Sequence, residues 1–104
     1  MGRSKKRQQP LPWGLLEESD WRILKDLFSN APDCAKFLSR RLGIELKETM
    51  WRLKELENLG FLERVEGRFL KKKGLKRPKH MNHTYYELTR PSRLHLRRLL
   101  FEEH

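Results

Sequence analysis

Two adjoining stretches decide how this chain folds: Ala35-Lys36-Phe37-Leu38-Ser39-Arg40-Arg41-Leu42-Gly43-Ile44, and Leu53-Lys54-Glu55-Leu56-Glu57-Asn58-Leu59-Gly60-Phe61-Leu62. In the first, Phe37, Leu38 and Leu42 recur at helical spacing, Asp33 is a good cap candidate, and Gly43 stops a helix over residues 33–42. The second closes a longer helix over 46–59, which presents Leu46, Met50, Leu53 and Leu56 on one face. Gly60 is well placed as its C′ residue. The linking segment Gly43-Ile44-Glu45 is short enough to hold the two helices against each other.

Working outward, residues 18–29 place Trp21, Leu24, Leu27 and Phe28 at helical spacing, with Ser19 as N-cap and Asn30-Ala31-Pro32 as the stop. Downstream of Gly60 the hydrophobic period shortens. Residues 61–66 read as a strand extending to Leu70, and residues 84–89 read as a second. Between them lies the charged turn Lys71-Lys72-Lys73-Gly74-Leu75-Lys76-Arg77-Pro78-Lys79. Residues 91–103 form a closing helix, with Pro91 near N1 and Leu96, Leu99 and Leu100 as its apolar stripe. No internal repeat is present. The expected architecture is α+β: three helices, a two-stranded basic hairpin over about 61–90, and a closing helix. Residues 1–12, polar, basic and broken by Pro10 and Pro12, form a flexible arm ahead of a single domain over 13–104.

The order helix, helix, turn, helix, hairpin, helix resembles the winged helix-turn-helix superfamily. The resemblance is carried by residues 20–62, above all the Leu56-Glu57-Asn58-Leu59-Gly60-Phe61-Leu62 ending of the third helix. Residues 20–90, including Asn82-His83-Thr84-Tyr85-Tyr86-Glu87-Leu88-Thr89-Arg90, also resemble a family of short archaeal winged-helix proteins catalogued as a domain of unknown function. Both resemblances imply the fold. Neither implies a particular activity.

A chain of 104 residues suffices for one domain and is too short for two with proper cores. It has no apolar run long enough for a membrane span, and its first ten residues have no apolar segment of the secretory kind. Cys34 is the single cysteine, so no internal disulfide can form and a reducing cytoplasm is the expected compartment. Its apolar neighbours Ala35 and Phe37 suggest a small buried hydrophobe rather than a reactive thiol.

The net charge of +10 points to a polyanion, and among intracellular polyanions to nucleic acid. Its distribution says more. Residues 1–12 carry +4, the helical body 13–63 carries −2, residues 64–79 carry +7 and residues 80–104 carry +1. The arm residues Arg3, Lys5, Lys6 and Arg7 and the hairpin residues Arg68, Lys71, Lys72, Lys73, Lys76, Arg77 and Lys79 are therefore expected to neutralise phosphates. Crowded like charges repel one another unless a polyanion is present. From Lys47 to Asn58 the third helix holds three basic and three acidic residues, which weakens a purely base-reading role. Lys47, Trp51, Arg52, Lys54 and Asn58 remain its candidates for contact with bases or sugars.

His80 and His83, three apart, lie at the start of a strand with no cysteine or carboxylate beside them in sequence. They suit contact with a phosphate or base better than a metal. Gly67 and Gly74 are isolated, so no phosphate-cradling loop forms, and no nucleophile–base pattern has local support. No cofactor and no enzymatic activity are expected. The charge map slightly favours structured RNA, the ribosome above all with rRNA and ribosomal proteins as partners. The alternative is a DNA-binding transcriptional regulator with helix 46–59 in the major groove. A protein-interaction module using Trp13, Trp21 and Trp51 is a weaker third reading, because it leaves the basic hairpin unexplained. The short closing helix is compatible with a monomer or a weak homodimer.

Overall fold

The computed structural model describes residues 10–30, 32–65 and 83–102. Helix α1 (Glu18–Ser29) starts one residue earlier than its expected cap, because Glu17 occupies the N-cap in an extended conformation. Asp20, three residues on, accepts a hydrogen bond from the Glu17 N–H at 2.9 Å. Ser19 therefore sits inside the first turn, and Glu17 with Asp20 at N3 forms a capping box in place of a Ser19 cap.

Strand β1 (Asp33–Cys34) replaces the expected first turn of the second helix. Asp33 is not a helix cap: its carboxylate accepts from the Cys34 N–H at 2.8 Å, while the backbone of both residues pairs with Tyr86 and Tyr85. Helix α2 (Ala35–Leu42) follows and ends at Gly43, whose φ of 69° is left-handed. Ser39 closes the turn, its hydroxyl donating to the Ile44 carbonyl at 2.6 Å. Helix α3 (Leu46–Leu59) ends at Gly60, with φ of 97°. Both helix stops thus use glycine where an L side chain would be strained.

Strands β2 (Leu62–Val65) and β3 (Tyr85–Leu88) pair antiparallel, with Leu62 opposite Leu88 and Val65 opposite Tyr85. The sheet order is β1-β3-β2, so the expected two-stranded hairpin is the outer part of a three-stranded sheet. Helix α4 (Arg90–Arg97) and a π-helical turn (Arg98–Glu102) take the place of one closing helix. A hydroxyl knot joins this end to the sheet. Thr89 Oγ1 donates to the Gly60 carbonyl at 2.8 Å, and Ser92 Oγ donates to the Phe61 carbonyl at 2.9 Å. Ser92 is fully buried, and the bond satisfies its hydroxyl there. This is a winged helix-turn-helix.

Ile23, Leu24, Leu38, Leu53, Leu56, Phe61, Leu62, Leu88 and Leu96 form the core. Trp13 covers one end of it, with ring centroids 4.8 Å from Phe61 and 4.1 Å from His95. Leu11, assigned to the arm from its surroundings in sequence, packs on this core too. Helix α3 is rolled relative to the expected face. Thr49, Leu53 and Leu56 point inward, whereas Leu46 and Met50 are 44% and 55% exposed. Thr49 can be buried because its hydroxyl donates to the Glu45 carbonyl one turn back, at 2.9 Å.

Arg52 fixes the placement of α3 against α1. Its guanidinium reaches Glu48 at 2.9 Å, Glu17 at 3.0 Å and Asp20 at 3.1 Å. Burial alone would lower its pKa, but hydrogen bonds to Glu48, Glu17 and Asp20 outweigh that and raise it. The Arg52 and Asp20 side chains are only 12% and 11% exposed, so removing the cation leaves Asp20 uncompensated. Arg52→Ala should therefore lower the unfolding free energy by about 2–4 kcal/mol in urea denaturation. A loss below about 0.5 kcal/mol, the level of a surface pair, would refute the assignment.

Burial raises the pKa of both Tyr85 and Tyr86 above the ordinary 10.0. The unfolded chain consequently loses these protons first. Their contribution to stability is complete below pH 10 and is lost as pH rises through the folded-state values. Thermal melts should show a midpoint falling as pH rises above about 10, and falling less in the Tyr85→Phe/Tyr86→Phe double variant.

Candidate nucleic-acid interface

Lys47, Trp51, Lys54 and Asn58 are spaced so that a 3.6-residue period sets them in one stripe, and all four are exposed. The stripe lies opposite the buried Thr49, Leu53 and Leu56. Trp51 is 61% exposed, so its indole is not buried against a neighbouring element.

The acidic residues of α3 are held off this stripe. Glu48 is drawn aside by Arg52, and Glu57 accepts from Arg64 of β2 at 3.0 Å. Glu55 is half-buried on the flank. The helix that counts as neutral in sequence therefore presents two lysines, an indole and an amide outward, with no carboxylate in the stripe. Linear counting misses this because it gives a paired lateral acid the same weight as an exposed base.

Arg52 does not join them. Four positions on from Glu48, it turns toward α1 and spends its donors on three carboxylates. Where the sequence suggested a base reader, the guanidinium is held against α1 and away from the stripe. Its guanidinium carbon lies 6.0 Å from the Trp51 ring centroid, at the outer limit of a cation–π contact. On another face Arg41 bridges Asp26 at 2.6 Å and Asp33 at 2.7 Å, and hydrogen bonding to Asp26 above all raises its pKa.

A groove of about 430 Å³ runs beside the stripe. Cys34, Ala35 and Lys36 form one wall, Leu46, Met50, Leu53 and Lys54 of α3 a second, and Arg64, His83, Thr84 and Tyr86 the sheet side. Cys34 is buried, with its sulfur 3.6 Å from His83 Nδ1. Lys36, Met50 and Arg64 were not foreseen here. For Arg64, the outward register of β2 was a usable signal. For Lys36 and Met50, the sequence held none until β1 shortened α2 and the roll of α3 was known.

The remaining candidates, Arg3, Lys5, Lys6, Arg7, Arg68, Lys71, Lys72, Lys73, Lys76, Arg77, Lys79 and His80, lie outside the described residues. Among the described residues no group of three or more His, Cys, Asp or Glu could hold a metal ion. None of the described helices is long and apolar enough to cross a membrane.

The solved structures similar to this chain include two winged-helix proteins. One, the disulfide-formed AbfR, is 17% identical with a TM-score of 0.64, covering 92% of this chain and 59% of its own. The other, wild-type MarR from E. coli in its apo form, is 16% identical with a TM-score of 0.62, covering 94% of this chain and 70% of its own. The present chain thus spans less than two thirds of AbfR. At these identities the likeness is one of fold. Comparison with curated proteins found no match. The model of a family described as "Uncharacterized protein conserved in archaea (DUF2250)" matches residues 14–99, and the chain belongs to that family.

Proposed function

We propose that this is a non-enzymatic DNA-binding protein of the regulator kind, which lays α3 in the major groove and grips the flanking phosphates with its basic segments. The observation that carries the reading is the stripe Lys47–Trp51–Lys54–Asn58, exposed and cleared of acids by Arg52 and Arg64. An amide can read a base edge, the lysines suit phosphates or guanine, and the indole suits a sugar or a thymine methyl. The expected lean toward structured RNA and the ribosome rested on the charge map, in which the arm and the hairpin carry the excess and the third helix counts as neutral. With Glu48 and Glu57 paired aside and Glu55 on the flank, the neutral-helix part of that argument falls and DNA is favoured. The excess charge in residues 1–12 and 64–79 supports phosphate contact in either case.

Leu94 and Phe101, 46% and 66% exposed at the closing end, supply apolar surface for weak self-association, so the acting species is a monomer or a weak homodimer. A reducing cytoplasm remains the proposed compartment.

Fluorescence anisotropy with a labelled DNA duplex tests the proposal. Lys47→Ala/Lys54→Ala should weaken binding and lower the slope of log K against log salt by about two units. Asn58→Ala should instead narrow the affinity gap between duplexes of different sequence, by a factor of about ten at the position it reads. Tighter binding of a folded RNA at the same salt, untouched by the double lysine variant, would return the assignment to RNA.

A further inference from the structure

The groove beside α3 is more apolar than phosphate contact alone requires. Its volume of about 430 Å³ falls in the range of small-ligand sites, about 300–1,000 Å³. Leu46 and Met50 contribute exposed apolar surface to it, at 44% and 55% exposure. Tyr86 and Thr84 contribute from the sheet. Around this apolar slot stand three cations, Lys36, Lys54 and Arg64. Arg64 is shared with Glu57, while Lys36 and Lys54 form no ion pair among the described residues. An apolar slot with a cationic rim selects a ligand with a flat, weakly polar body and an anionic end.

Nucleic acid supplies such a group only when a base is unpaired. In a perfect duplex the rings stay stacked, and the major groove offers edges, which would leave Leu46 and Met50 facing water. An unpaired base swings out at a cost of a few kcal/mol or less and carries its own phosphate with it. Lys54 belongs both to the exposed stripe and to the groove, so a strand docked on Lys47, Trp51 and Asn58 passes the groove's mouth.

We propose that the groove bounded by Met50, Leu46 and Tyr86 and rimmed by Lys36, Lys54 and Arg64 receives an unpaired nucleotide, so that the protein favours nucleic acid carrying an extruded base over a perfect duplex. This rests on the reading that α3 docks on DNA. The ring lies between α3 and the sheet, and the phosphate meets the lysines. His83, whose Nδ1 lies 3.6 Å from the Cys34 sulfur, stands on the sheet side of the same slot.

The test is anisotropy at one salt concentration with three labelled probes: a perfect DNA duplex, the same duplex with one unpaired nucleotide, and its single strand. The bulged duplex should bind about tenfold tighter than the perfect one, the scale of one stacked base. Met50→Glu, at an exposed position, should bring that ratio close to one, and Met50→Leu should keep it. Equal affinity for bulged and perfect duplexes overturns the inference while leaving the DNA reading intact. Binding to none of the three overturns both. Saturable binding of adenosine monophosphate with a ratio near one assigns the groove to a free nucleotide and overturns the strand assignment.

Discussion

Arg52 joins the start of α1 to the middle of α3 through Glu17 and Asp20, and on its own helix it also holds Glu48. This cluster holds α3 in its observed roll, and the roll decides which of its side chains face solvent. With Arg52 turned toward α1, the opposite side of the helix carries Lys47, Trp51, Lys54 and Asn58 into the open. The cluster also removes Glu48 from the field those lysines create. A partly buried ion pair gains little net energy over an apolar contact of the same shape, since desolvation offsets the attraction. What it adds is direction: three carboxylates around a planar guanidinium allow one arrangement where a leucine would allow several.

The sheet performs the same task at the other flank. Arg64 on β2 reaches Glu57 near the end of α3 and so takes up the second acid. The bonds from Thr89 and Ser92 to the Gly60 and Phe61 carbonyls hold β2 and α4 at the point where the chain leaves α3. The exposed stripe, the groove and the β2–β3 pair are thus positioned by polar contacts around the rim of an apolar core. A single cavity in that core would loosen the whole, but it would not by itself redirect the stripe.

Much of this was legible in sequence. The spans of α1 and α3, the turn at Gly43 and the stop at Gly60 follow from hydrophobic period and glycine placement, because both are local properties. What was hidden depends on contacts between distant residues. Strand β1 is two residues with no period of their own, and it exists because Tyr85 and Tyr86 offer a free edge. Asp33 looked like a cap for the same reason that it can hold the Cys34 N–H: a short carboxylate serves either geometry. The roll of α3 escaped because Leu46 and Met50 suit a core face by composition, while Thr49 becomes a core residue only once its hydroxyl is satisfied within the helix. Arg52 looked like a reader because free and committed arginines are identical in a sequence.

The central claim is that the exposed face of α3, and no other helical face, meets DNA. Amide chemical shifts of the isotopically labelled protein, recorded while a short duplex is titrated in, test it most directly. The shifts should concentrate at Lys47, Met50, Trp51, Lys54 and Asn58 and leave the Asp26–Arg41 face unmoved. Shifts concentrated on α1 or α4, with α3 silent, would contradict it.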